Sequence, residues 1–223
     1  MINRLHRFLH NPARGWDPIP EAYARRYSNT ANADLALIDR VETWVGGVAG
    51  KSVADIGSGP GQYALEFARR GAYVTCIDLS SRYLEIARRN FLEACQQGEF
   101  TLAYMDDIGQ LAPEKFDLIF SNVCWYYCLG DFSFARSLLR ALKSGGSVVI
   151  RVQNAESDVR ARLLRRVLYG LYKRLHWKIG HLFPPRGRVA YAFDRLRCCR
   201  VTTDYADPHI DVVLVKADVL TDH

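Results

Sequence analysis

The sequence predicts an α/β domain: a doubly wound, seven-stranded, mostly parallel sheet with an antiparallel last strand. Three observations carry that expectation. Short apolar runs alternate with segments of helical periodicity between residues 51 and 152, the pattern of repeated strand–helix units with right-handed crossovers. A glycine-rich turn, Gly57-Ser58-Gly59-Pro60-Gly61, joins the first strand of that series to its helix. Near the C-terminus, β-rich runs at 197–203 and 210–217 are separated only by 204–209. That connection is too short for a crossover helix, so the two strands should pair as an antiparallel hairpin.

Taken in order, residues 19–27 and 33–45 have helical spacing and predict an N-terminal helical cap or lid over 1–50, ahead of a main domain at 51–223. Lys51 and Ser52 lead into Val53 and Ala54, a short buried strand, and 62–70 continues as a helix. Strand two is 73–78. The helix after it, 81–95, places Tyr83, Leu84, Ile86, Ala87, Phe91 and Leu92 at helical spacing. Strands three and four are 100–105 and 115–122. A helix at 131–142 should stop at Lys143-Ser144-Gly145-Gly146, before strand five at 147–152. A basic helical insertion at 157–190 then breaks the rhythm, with a long amphipathic helix at 159–176. Across 159–188 stand Arg160, Arg162, Arg165, Arg166, Lys173, Arg174, Lys178, Arg186 and Arg188, with no acid. Leu163, Leu164, Val167, Leu168, Leu171, Tyr172 and Leu175 should face the sheet or the acceptor pocket and leave most of the arginines outward.

Composition narrows the class. A chain of 223 residues with 49% hydrophobic content can bury one large core. A net charge of +6 suits an anionic substrate and is mild for a nucleic-acid binder. The six cysteines form no C-x-x-C pair, so a reduced cytoplasmic setting is expected rather than a disulfide scaffold, and no metal site is expected. Cys124 and Cys128 read as buried packing. No apolar run approaches the roughly 18 residues of a membrane span, so no membrane partner is expected. The first sixteen residues hold Arg4, Arg7 and Arg14 but no apolar core of a secretory signal.

The glycine turn carries the chemistry. Alternating Gly57, Gly59 and Gly61 let the backbone turn tightly and approach a ligand, and the helix that follows offers unpaired N–H groups. Asp78, twenty-one residues after Gly57, sits at the tip of strand two, where a carboxylate can take both hydroxyls of a ribose. These features indicate a nucleotide-type cofactor. A dinucleotide fingerprint would need a third glycine at Gln62, and fails there. The acid-x-G-x-G-x-G pattern beginning at Asp55 instead resembles motif I of the class I S-adenosylmethionine-dependent methyltransferases, over roughly residues 50–217. The resemblance implies a Rossmann-like methyltransferase fold and S-adenosyl-L-methionine as cofactor. It puts Asp55 toward the methionine ammonium, Gly57, Ser58, Gly59 and Gly61 around the ligand, and Asp78 and Leu79 at the ribose. Within Asp106-Asp107-Ile108 it assigns the adenine amine to Asp107, with Asp106 as the alternative, and ring packing to Ile108. Asn122 falls where the chain passes the sulfonium, and Tyr27 where an aromatic lid covers the methionine end.

The acceptor is less legible. After strand four the chain reads Ser121-Asn122-Val123-Cys124-Trp125-Tyr126-Tyr127. The Pro-Pro element of enzymes that methylate base amines is missing, as is the Pro-Cys setting of a cytosine C5 enzyme. Trp125 and Tyr126 suit a flat or sugar-like acceptor, or else core packing. Arg14-Gly15-Trp16-Asp17-Pro18 forms a turn before a helix that sets Tyr23 and Tyr27 on one face, and Trp16 is a further substrate-side candidate. An oxygen acceptor of high pKa would need a general base. His176, His181 and His209 are the titratable candidates, and His181 and Tyr126 are the residues offered for a catalytic or substrate contact. The expected activity is methyl transfer to oxygen or nitrogen of a small, possibly anionic, acceptor. The alternatives are action on RNA or a glycan through the basic 159–188 segment, and a non-catalytic binding subunit that retains the fold.

Overall fold

The computed structural model describes residues 7–154, 163–175, 178 and 181–217. Seven strands form one sheet: β1 (Ser52–Ile56), β2 (Tyr73–Asp78), β3 (Glu99–Leu102), β4 (Phe116–Asn122), β5 (Leu142–Gln153), β6 (Cys199–Asp207) and β7 (Ile210–Ala217), in the order β3-β2-β1-β4-β5-β7-β6. The first five pair in parallel, while β7 runs antiparallel to both β5 and β6. Only β7 is reversed, as the short final connection requires.

The period of two along each strand builds both cores. Val53, Leu118 and Val149 face one side, and their neighbours Ala54, Ile119 and Val148 face the other. Helices α2 (Leu35–Val45), α3 (Gln62–Arg69) and α4 (Ser81–Glu93) cover the first side with Ile38, Phe67 and Leu84. Helix α5 (Asp131–Ala141) and the short helix α7 (Arg188–Asp194) cover the second with Phe134, Leu138 and Phe193. With both faces covered, the strands read as nearly continuous apolar runs. Helix α1 (Glu21–Thr30) precedes α2, and α6 (Leu163–Leu175) is the described part of the expected 159–176 helix; 159–162 and 176 lie outside the described residues.

Three boundaries differ from expectation. The chain leaves α5 directly into β5 at Leu142, so Lys143-Ser144-Gly145-Gly146 does not end a helix but forms a bulge. The register slips between the pairs Phe116–Leu142 and Leu118–Ser147, and Gly145 supplies the positive φ of 74°. At the other end β6 continues through Asp207 and leaves Pro208 and His209 as the turn, because Asp204 and Asp207 still find partners on β7. Strand β3 stops at Leu102, opposite Asp78, so the chain leaves it at the carboxyl edge of the sheet.

Candidate active site

Strand order reverses between β1 and β4, and a cavity of about 660 Å³ lies at the carboxyl ends of β1, β2 and β4. Its floor is the glycine loop. The N–H groups of Gly57 and Ser58 donate to the Ile77 carbonyl at 2.8 and 3.2 Å, which fastens the loop to the end of β2. Gly59 N–H donates to Asp78 Oδ2 at 2.9 Å, and Ser80 N–H to Asp78 Oδ1 at 2.8 Å. Asp55 Oδ2 accepts from Ala64 N–H in the first turn of α3 at 3.2 Å. A Cβ on Gly57 would stand 2.4 Å from Cys124 Sγ, whereas one on Gly59 would meet nothing nearer than the Tyr27 ring at 3.8 Å. The backbone at Gly59 is therefore the open face of the loop.

Burial dominates the electrostatics. It pushes Asp55 up to about 7, helped by the charge of Asp78 and opposed by the Ala64 N–H. It pushes Asp78 up to about 6 against hydrogen bonds from Ser80 and Gly59. Asp106 likewise rises to about 6, opposed by the Leu129 N–H. The cavity thus has carboxylates at three points that lack full compensation. Asn122 Oδ1 and Gln62 Oε1 are also buried without a hydrogen-bond partner, a state that costs free energy unless a ligand supplies donors.

Most of the residues singled out in the sequence line this cavity: Asp55, Gly57, Ser58, Gly59, Asp78, Leu79, Asp106, Asn122, Tyr27, Trp16, Tyr126 and His181. Four do not. Gly61 faces Ala87, 3.0 Å from where its Cβ would be, so it serves the packing of α3 on α4. Asp107 turns away, both of its oxygens accepting from Arg7 Nη1 at 2.7 and 2.8 Å, and leaves the cavity wall to Asp106. Ile108 is buried in the core under α5. Trp125 is wholly buried, with its indole N–H donating to Asp131 Oδ1 at 2.9 Å; it is core rather than acceptor wall.

The N-terminal segment closes one side. Asp17 accepts from Ile19 N–H and Ser80 Oγ (both 2.8 Å), Ser81 Oγ (3.0 Å) and Arg82 N–H (3.1 Å). Despite its burial, these bonds hold its carboxyl below the usual range. Tyr104 donates to the His10 carbonyl at 2.7 Å. The Tyr23 and Tyr27 rings stack at 6.2 Å, and Tyr27 packs on Tyr83 at 5.8 Å. Sequence reasoning missed Asp17, His10, Tyr104, Gln62 and Tyr127. The Asp17-Pro18 step was a usable signal, since an Asp before such a turn commonly captures N–H groups, here those of a distant helix.

The opposite side is the loop after β4. Val123 occupies the left-handed region at φ 57°, strained for a β-branched residue, and its N–H donates to the Arg151 carbonyl at 2.7 Å. Trp125 then turns inward while Tyr126 and Tyr127 face the cavity. Their rings lie 4.1 Å apart; Tyr126 also packs on Phe183 at 4.7 Å, and Tyr127 on His181 at 5.1 Å. Burial keeps the Tyr126 phenol protonated, so it can donate but not serve as a base.

A buried cluster around Asp131 supports this loop. Besides Trp125, Tyr172 donates to Asp131 at 2.6 Å, with Lys178 Nζ at 3.9 Å and Arg188 Nε at 3.7 Å. Lys178 also donates to the Trp125 carbonyl at 3.0 Å and to Cys128 Sγ at 3.2 Å, and Arg188 to the Tyr172 carbonyl at 2.6 Å. The expectation of outward arginines is therefore corrected for Arg188, whose side chain, like that of Lys178, is only 4% exposed. Lys173, Arg174 and Arg186 are exposed, while Arg160 and Arg162 lie outside the described residues.

Comparison with known proteins places the chain. Residues 54–150 match the family model of the methyltransferase domain. A ubiquinone biosynthesis O-methyltransferase of Nitrosomonas europaea is 29% identical over 150 residues, covering 67% of this chain and 62% of that protein. This chain thus spans less than two thirds of the length of the curated relatives it matches. A SAM dependent methyltransferase from Aquifex aeolicus shares the fold with a TM-score of 0.62 at 15% identity, over 90% of this chain and all of that one. The [4+2]-cyclase SpnF does so with a TM-score of 0.65 at 16% identity, over 82% and 80% of the two chains. From the glycine loop, the strand order and the matched domain together, residues 54–150 are a methyltransferase domain on the fold of the class I S-adenosylmethionine-dependent methyltransferases, whose cofactor is S-adenosylmethionine.

Proposed function

We propose that this chain transfers a methyl group from S-adenosylmethionine to an oxygen of a small-molecule acceptor. The observation that carries the reading is one continuous cavity with a cofactor cradle at one end and an aromatic wall at the other. The residues present fit the cofactor: the Gly59 backbone is open, Asp78 retains acceptor capacity for ribose hydroxyls, and the unpaired Asn122 Oδ1 and Gln62 Oε1 await donors. When bound, the cofactor supplies an electrophilic methyl on a good leaving group. The protein's share is then alignment of the acceptor and exclusion of water. Oxygen is favoured over nitrogen by the O-methyltransferases among the relatives. A cytoplasmic, reducing setting goes with this reading, supported by the exposed thiols of Cys95 and Cys198.

The test has two stages. Calorimetric binding of S-adenosylhomocysteine is expected first, then transfer of label from S-adenosylmethionine to a component of fractionated cell extract. Binding without transfer to any fraction would favour a different use of the fold, as in the cyclase. Action on RNA or a glycan through 159–188 is disfavoured because Lys178 and Arg188 are consumed internally. We expect no measurable affinity for bulk RNA or anionic vesicles at physiological salt; sub-micromolar binding to either, falling steeply with salt, would revive that alternative.

A further inference from the structure

We propose that Lys178 and Cys128 form a covalent modification site, in which dioxygen joins the lysine nitrogen to the cysteine sulfur through a single oxygen atom. The bridge ties the segment between α6 and α7 to the loop after β4. It is independent of which acceptor the cavity takes, and of methyl transfer itself.

Lys178 has an unusual partner. Its side chain is only 4% exposed and has three protons to place. One goes to the Trp125 carbonyl at 3.0 Å and one to Cys128 Sγ at 3.2 Å, while Asp131 Oδ1 stands 3.9 Å away, too far for a hydrogen bond. Cys128 is itself buried, at 3% exposure. A thiol sulfur is a weak acceptor and offsets little of the cost of burying a cation. Serine at 128 would offer an oxygen in nearly the same space. Packing alone therefore does not account for the pair, which sets an oxidisable sulfur against an amine nitrogen inside the protein.

The distances fit the chemistry. Reacting groups need to lie roughly 3–3.5 Å apart, and Nζ and Sγ already do, so one oxygen can span them with little movement of either chain segment. Burial also selects the oxidant. It raises the Cys128 thiol above the ordinary cysteine value, against the pull of the Lys178 charge. The sulfur is thus held protonated and is closed to the thiolate attack by which disulfides exchange. Dioxygen is small, apolar and uncharged, and enters such an interior where larger thiols and disulfides do not.

The step balances with one molecule of dioxygen. The thiol S–H bond, two of the ammonium N–H bonds and the O–O bond break, and an S–O and an O–N bond form. The second oxygen atom leaves as water with two of the released protons. The remaining proton passes to Asp131 Oδ1, which lies 3.8 Å from Sγ and 3.9 Å from Nζ. Sulfur and nitrogen are each oxidised by two electrons, and dioxygen takes up all four. The charges of Lys178 and Asp131 are lost together, so the step leaves no bare carboxylate in the interior.

The bridge stands at the base of one wall of the cavity. Cys128 follows the 3-10 turn Trp125–Tyr127, of which Tyr126 and Tyr127 line the cavity, and His181, three residues after Lys178, lines it as well. Closing the bridge fastens these two parts of the wall to each other. The glycine loop and Asp78 lie on other elements and keep their hydrogen bonds.

The experiment holds the full chain, purified without added thiol, in oxygen-saturated buffer, beside a sample purified and kept under nitrogen. Under oxygen the intact mass should rise by about 14 Da, one oxygen gained and two hydrogens lost. Digestion should then yield a linked pair of peptides containing residues 128 and 178, which dithiothreitol separates. The sample under nitrogen should show neither. Cys128→Ser, which keeps an acceptor for Lys178, and Lys178→Arg, which keeps the cation, should each abolish the linked pair; if the arginine does not fold, the serine variant decides. Bridged and unbridged protein should bind S-adenosylhomocysteine within about twofold of each other, because the bridge lies away from the glycine loop and Asp78. Oxygen-treated protein that gains only about 16 or 32 Da, or that carries its oxidation on the exposed Cys95 and Cys198, would overturn the site. So would a linked pair that persists in Cys128→Ser. A bridge that forms but changes S-adenosylhomocysteine affinity by about tenfold or more would overturn the confinement of its effect to that one wall.

Discussion

Replacing Asp78 with Asn should flatten the pH dependence of cofactor-product binding. In the ligand-free protein the Asp78 carboxyl is pushed up by burial to about 6, from an ordinary 3.8. Its folded value is raised, so the ionised form is the costly one, and acidification through pH 6 protonates it. A protonated acid spends one oxygen as a donor and can no longer accept from two ribose hydroxyls while holding the Gly59 and Ser80 N–H groups. Binding a pair of hydroxyl donors should therefore return the carboxyl toward its ordinary value, about two units lower, and release a proton. Across that range each unit is worth about 1.4 kcal/mol. Only about one unit of it falls between pH 7.5 and pH 5, so wild-type affinity for S-adenosylhomocysteine should weaken by about tenfold over that interval. Calorimetry in buffers of different ionisation enthalpy should show close to one proton released per ligand near pH 5. Asp78→Asn should bind about tenfold or more weakly at pH 7.5, having lost a charge-assisted pair, and should show little further loss at pH 5. A variant that keeps the full pH slope would refute the assignment of the ribose contact to Asp78.

Three further outcomes are expected. Asp55→Asn keeps an acceptor for the Ala64 N–H but removes a buried charge raised from 3.8 to about 7, so the ligand-free variant should melt about 3 °C or more above wild type at pH 8, with the gap closing as the pH falls from about 7 to about 4 and cofactor affinity reduced; scanning calorimetry at both ends of that range checks the sign. Gly57→Ala combines a left-handed φ with a 2.4 Å clash and should cost about 3 kcal/mol or more, while Gly59→Ala should cost only about 1–2 kcal/mol of backbone strain yet still weaken S-adenosylhomocysteine binding. Denaturant titration separates the two, and normal affinity in folded Gly59→Ala would show that the loop does not touch the cofactor. Asp17→Ala removes four hydrogen-bond acceptances and should speed amide exchange at Ile19 and Arg82 by roughly tenfold or more, with β1 unaffected.

The sheet and the glycine loop were legible because their signals are local: alternating strand periods, a run of glycines that need positive φ, and an acid at a fixed distance. Failures came where a distant partner decides. Asp106 and Asp107 are adjacent and alike, and only the Arg7 guanidinium, a hundred positions away, turns one out of the cavity. Trp125, Tyr126 and Tyr127 occupy a tight 3-10 turn whose side chains point about 120° apart, so at least one must leave the cavity. Asp131 claims Trp125 through its indole N–H, and hydropathy is blind to that choice. The same carboxylate explains Lys178 and Arg188, which a count of charges along 159–188 could only read as solvated. The glycine pair before strand five carried a true conformational signal, positive φ at Gly145, with the wrong consequence attached, because a bulge and a helix stop ask for the same residue.

The Asp131 cluster also bears on how such a protein can diversify. Every residue assigned to the cofactor cradle precedes Val123, whereas His181 and Lys178 come from a stretch between β5 and β6. One part of the wall on the proposed acceptor side is therefore physically separable from the cofactor cradle, and could be exchanged as a cassette. The exchange carries a condition. A replacement stretch that brings no counterparts for Tyr172, Lys178 and Arg188 would leave the buried Asp131 carboxyl short of partners beneath the loop after β4. Chimeras that transplant 163–194 together with residue 131 should outnumber, among folded products, those that move the stretch alone.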